Sequence, residues 1–153
     1  MQELLKRNGD STRGRAVFER AESTCITCHR AANVGKDVGP ALAEIGSKLG
    51  KDALFESILA PNAGISMGFE TTQLSLKNSD VAIGIVRSET ADQITLVMAG
   101  GVENKYKKED VAKREKLPTS LMPPGLSRDT GVYVRGVPGS SSSACESLFA
   151  IAV

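Results

Sequence analysis

The spacing of hydrophobic residues changes near Phe69, and that change separates two kinds of predicted element along the chain. Upstream, apolar positions recur at helical intervals. Asp10 or Ser11 is a suitable N-cap for a helix running to about Glu22, on which Gly14 and Phe18 stand four apart and Val17 widens the apolar stripe. Lys51 to Leu59 reads as a second amphipathic helix, with Leu54 and Ile58 four apart, Phe55 and Leu59 continuing the face, and Pro61 as the stop. From Phe69 the period is two: Leu74 and Leu76, then Val81, Ile83 and Ile85, then Ile94, Leu96 and Met98. Asn78-Ser79-Asp80, Glu89 to Asp92 and Gly100-Gly101 break these runs. The pattern predicts a meander of three or four short antiparallel strands, about 69–107, ending with a strand near Val102 to Lys107. Gly84 within it marks a bulge or a close backbone approach.

Between the helices lies Cys25-Ile26-Thr27-Cys28-His29, two thiols three apart with a histidine next in line. This is the spacing of covalent c-type haem attachment. On one turn of helix, positions i and i+3 share a face, so both sulfurs can add to vinyl groups along one edge of a porphyrin. The adjacent imidazole then lies beneath the ring as an axial iron ligand. A structural zinc site would need four ligands, yet His29 is the sole histidine and Cys145 stands alone and remote. A thioredoxin-type pair would follow a strand, whereas Arg15 to Glu22 reads as a helix. Further on, Gly39-Pro40-Ala41-Leu42 follows a polar loop from Arg30 to Val38. Pro40 makes a rigid loop end beside an imidazole, and a backbone carbonyl there can accept from the second nitrogen of His29.

Composition narrows the class. The chain has 153 residues, 41% hydrophobic and 24% charged, enough for one core. A net charge of +1 gives no support to nucleic-acid binding or attraction to a charged membrane surface, and no apolar run is long enough to span a bilayer. Aromatic content is only 4%, with no tryptophan, which suits a core whose flat apolar centre is a porphyrin. The first residues, Met1 to Arg7, mix charges and lack an apolar signal stretch, although covalent haem attachment belongs outside the cytoplasm. The expectation is a periplasmic or otherwise extracytoplasmic location, as a fragment of a larger exported protein.

Downstream of the strands, Lys105 to Lys116 carries six basic side chains against Glu109, Asp110 and Glu115. It reads first as a solvated face, and alternatively as a docking patch for an acidic redox partner. Leu117 to Leu126 then holds Met122 among Pro118, Pro123 and Pro124, a stiff loop that can place a thioether as a ligand. Met98 falls on the alternating pattern and Met67 follows a flexible turn, so Met122 is the favoured candidate.

Cys25 to His29, Gly39 to Leu42 and Ser120 to Gly125, in that order, resemble the monohaem cytochrome c domain found in large exported proteins of planctomycetes and verrucomicrobia. Gly14 to Phe18, Ile58 to Asn62 and the strand-rich segment before the methionine loop fit as well. The resemblance covers roughly Asp10 to Leu126. It implies one covalently attached haem c per chain, thioether bonds at Cys25 and Cys28, proximal ligation by His29, a supporting turn at Gly39 and Pro40, and distal ligation by Met122. It also implies attachment to a dehydrogenase domain or another redox protein from which electrons are collected. Such domains close with an amphipathic helix packed across the first one. Here Ser127 to Val153, with Gly131, Gly136, Pro138, Gly139 and serines 140–143, is poor helix material.

The expected fold is therefore mostly α, a cytochrome c fold with a small antiparallel β insertion. Residues 1–9 form a linker or the end of a preceding element, 10–126 the cytochrome domain, and 127–153 an atypical tail in which Cys145 is a free thiol. The expected function is one-electron transfer by an iron with both axial positions filled, not catalysis. The alternative is a haem-based enzyme or a gas or redox sensor with an open distal site.

Overall fold

The computed structural model describes residues 5–6 and 9–126. The first helix, α1, spans Ser11–Glu19. Asp10 caps it, its carboxylate accepting the Arg13 N–H at 2.9 Å. Gly14, Val17 and Phe18 form its buried side, as the sequence predicts. The helix stops short of Glu22, and short 3-10 turns at Ala21–Ser23 and Cys25–Thr27 carry the chain to His29. A two-stranded antiparallel ribbon, β1 (Arg30–Ala31) and β2 (Val34–Gly35), occupies part of the segment read as a loop. A single turn, α2 (Ile45–Lys48), precedes α3 at Lys51–Leu59, which has the predicted bounds.

The strands downstream of α3 overturn the expectation of a mostly α fold. Helix and strand hold similar shares, 27% and 29%, and the strands form a five-stranded antiparallel sheet too large to be a minor insertion. They are β3 (Thr71–Leu76), β4 (Val81–Glu89), β5 (Gln93–Val97), β6 (Glu103–Lys107) and β7 (Val111–Lys116), in the order β6-β5-β4-β3-β7. The fifth strand lies in the charged stretch that reads as solvated surface. Charge does not prevent β7 from pairing with β3, because an edge strand exposes one face and tolerates lysine there. The sheet thus runs on to Lys116, past the predicted end at Lys107.

Connectivity forces this sheet to curl. β6 and β7 are its two edges, yet only the turn Lys108–Asp110 joins them. In a flat sheet those edges would be about 19 Å apart, four strand spacings. The chain from Lys107 to Val111 reaches at most about 14 Å. Bulges supply the curvature: pairing shifts at Arg87, between Val86 and Ser88, and again where Ser75 and Leu76 face β7. Gly84 is the other predicted alternative, a close approach, since a Cβ there would lie 2.6 Å from the Val97 carbonyl oxygen.

The curled sheet has two apolar faces. Leu74, Ala82, Ile94 and Leu96 fill one, with Leu76, Val86, Tyr106 and Val111 against them. On the other, Ile85 and Val97 pack with Val38, and with Cys28, Phe69 and Leu121. That second face joins the sheet to the turn that carries Cys28. The predicted linker at 1–9, the tail at 127–153, Cys145 and the missing closing helix lie wholly or mainly outside the described residues. Among those described, no helix is long and apolar enough to cross a membrane.

Candidate haem site

The residues Cys25 to His29 form one tight turn. The Cys25 carbonyl accepts the N–H of Cys28 at 3.2 Å and of His29 at 2.9 Å. Thr24, at φ +53°, turns the chain into it. The Cys28 carbonyl in turn accepts from both Val38 and Gly39, at 2.9 and 2.8 Å, and Leu42 N–H donates to the Arg30 carbonyl at 2.7 Å. These bonds fold the segment 38–42 back over His29. The result is a 2.7 Å contact between His29 Nδ1 and the Pro40 carbonyl oxygen. A carbonyl can only accept, so Nδ1 carries the proton and Nε2 keeps its lone pair free for a metal.

Gly39 is required by this arrangement. A Cβ there would fall 2.6 Å from His29 Cε1 and 3.0 Å from each ring nitrogen. The imidazole therefore lies directly against the Gly39 backbone, gripped between that contact and Pro40.

The cavity beside this turn has a volume of about 230 Å³ and is partly open to solvent. Cys25, Cys28, His29, Gly39, Pro40 and Met122 all line it. α3 contributes Leu54 and Ile58, the loop after it Pro61 and Ile65, and the sheet Ile85, so the apolar stripe of α3 serves as a wall. Met122 comes from the proline-rich loop, while Met67 is 92% exposed and Met98 lies elsewhere, its sulfur accepting from Asn104 Nδ2 at 3.2 Å. Met122 is thus the methionine brought to the cavity among the described residues. Phe69 and Leu121 also line it. Neither carries a distinct signal in the hydrophobic pattern, beyond the position of Phe69 at the change of period.

Burial pushes the Cys25 thiol up from the ordinary cysteine range, and the thiol donates to the Ser23 carbonyl at 3.3 Å. Ser23 is itself buried, its hydroxyl donating to the Arg20 carbonyl at 2.7 Å. Among the described residues no group of three or more His, Cys, Asp or Glu side chains is placed to hold a metal ion, so the zinc alternative has no donor set there.

The basic stretch is largely paired. Lys107 meets Glu109, Lys108 and Arg114 meet Glu89, Lys113 meets Glu115 and Lys116 meets Glu70, at 2.7–3.4 Å. Such surface pairs add little stability, but they leave the stretch with little net positive field. It gives scant support for docking an acidic partner.

An apolar cleft lined by two thiols on one turn of chain, an imidazole of fixed tautomer and a thioether has the chemistry to fit a haem. The donors present, a thioether sulfur and an imidazole nitrogen, suit haem iron. The family model of cytochrome c matches residues 11–127, and the chain belongs to that family. Its cofactor is covalently attached haem c, and the family works in electron transport, its domains being generally electron carriers. No curated protein matches the chain.

Proposed function

We propose that this chain relays single electrons through a haem c attached at Cys25 and Cys28, with His29 and Met122 as its axial ligands. The reading further holds that it is a domain of the planctomycete and verrucomicrobial haem-binding type, part of a larger exported protein, collecting electrons in the periplasm from a fused or associated dehydrogenase. The observation that carries the ligand assignment is that Met122 and His29 line one cavity, whereas Met67 and Met98 do not. The strand-rich segment between α3 and the methionine loop supports the choice of subtype.

Bound haem c supplies a one-electron ferrous–ferric couple. The Pro40 carbonyl holds the proton on Nδ1 of His29, which makes Nε2 the better donor. Leu54, Ile58, Ile65 and Ile85 keep water from the cavity walls, and a low-dielectric wall disfavours extra charge, so it favours the reduced state. With His29 and Met122 both holding the iron, no coordination site would remain for substrate.

Carbon monoxide separates this reading from the enzyme or sensor alternative. The ferrous protein without denaturant should resist carbon monoxide, and Met122→Ala should bind it readily. Rapid binding by the unaltered protein would mean an open distal site and would reject the relay. Reduction of the haem by a dehydrogenase module and its substrate in stopped flow tests the donor assignment, which fails if no reduction occurs.

A further inference from the structure

The methionine loop is tied to the far wall of the cavity by a side chain that does not itself line it. Asn62 follows Pro61, which lies two residues past the end of α3 and lines the cavity. Its Oδ1 accepts the backbone N–H of Ser120 at 2.8 Å, across 58 positions of sequence. The Ser120 hydroxyl then accepts the backbone N–H of Met122 at 3.1 Å. The amide orientation is fixed by chemistry, because a backbone N–H can only be met by the carbonyl oxygen of asparagine. At the loop's base, Leu117 N–H donates to the Thr71 carbonyl at 2.8 Å. Pro118 between these anchors and Pro123 directly after Met122 restrict the backbone.

We propose that Asn62 and Ser120 are positioning residues for the Met122 thioether, holding its loop at a fixed distance from α3 and so setting how firmly the sulfur stays on the iron. This rests on Met122 being the sixth ligand. Asn62 bonds to the backbone of the residue two before Met122, and the Ser120 side chain bonds to the backbone of Met122 itself, so the two act in series along the loop. Release of either bond leaves the sulfur chemically unchanged but lets the loop swing away. The device controls the fraction of time for which the distal position is open.

The test is the affinity of the ferric holoprotein for imidazole, which enters only when the methionine leaves. Asn62→Ala and Ser120→Ala should each tighten apparent imidazole binding about fivefold, the scale of one net hydrogen bond. Asn62→Asp keeps an acceptor oxygen and should restore much of the original resistance. The double variant should exceed either single change by less than their product, as expected for bonds in series. In a Met122→Ala background, Asn62→Ala should have no effect on imidazole affinity, although any general loosening of the fold would still show there. Unchanged affinity in both Asn62→Ala and Ser120→Ala, with Met122→Ala binding imidazole far more tightly than wild type, would overturn the positioning role and leave Met122 as ligand. Wild-type resistance persisting in Met122→Ala would instead remove the ligand assignment on which the proposal stands.

Discussion

Gly39→Ala is the sharpest small perturbation the site offers. Its new methyl carbon would be built 2.6 Å from His29 Cε1 and 3.0 Å from Nδ1 and Nε2, where ordinary contacts begin near 3.4 Å. The imidazole would have to retreat by nearly 1 Å. The added carbon would lie over the face of the ring, so the imidazole would be pushed out of its plane at the expense of the 2.7 Å bond to Pro40. Overpacking of this kind costs about 1–3 kcal/mol, and the lost bond adds about 1 kcal/mol, so the expected destabilisation is roughly 2–4 kcal/mol. Backbone strain does not contribute, since Gly39 is not at positive φ, unlike Gly35 at +98°. Guanidinium unfolding of the holoprotein followed by its Soret absorption gives the stability, and redox titration of the same samples reports the iron–imidazole bond. A loss below about 0.5 kcal/mol with an unchanged potential would refute the claim that the ring rests on Gly39.

Other consequences are as direct. Leu96→Ala, at a site with 0% exposure inside the curled sheet, should cost about 2–5 kcal/mol by urea unfolding, while leaving the haem spectrum intact. The Glu89 carboxyl is held below the usual carboxylate range, chiefly by its hydrogen bond to Lys108 and then by that to Arg114, so its stabilisation is present above pH about 4.3 and lost as pH falls through its lowered value. Glu89→Gln should therefore flatten the acid side of the stability–pH curve, and an unaltered curve would show that the pairs of Glu89 with Lys108 and Arg114 add no stability. Replacing Cys25 and Cys28 together by serine should abolish haem staining on denaturing gels, whereas staining that survives would place the attachment elsewhere.

How much of this was legible in the sequence depended on the range of the interaction. Cys25 to His29 is a local motif, and the Asp10 cap and the bounds of α3 are local too, so residue type and spacing suffice for them. The supporting contact from the 39–40 segment to His29 was also readable, because proline and glycine restrict what their neighbours can do. The balance of helix and strand was not. β7 is stabilised by pairing with β3, from Leu76 opposite Val111 to Thr72 opposite Lys116, and these partners are far apart along the chain. Its sequence is dominated by the charged run Lys113 to Lys116, which masks the alternation. The curl of the sheet follows from the short β6–β7 connection, which means nothing until the strand order is known. Asn62 belongs to the same class, since its partner in the methionine loop is 58 residues distant.

The central claim is that the haem iron sits between His29 and Met122, and one spectrum tests it most directly. A ferric iron bound by a thioether shows a weak near-infrared sulfur-to-iron absorption band. The account predicts that band in the wild-type holoprotein and its disappearance in Met122→Ala, with no loss in Met67→Ala or Met98→Ala. Absence of the band from the wild type, or its persistence in Met122→Ala, would contradict the assignment.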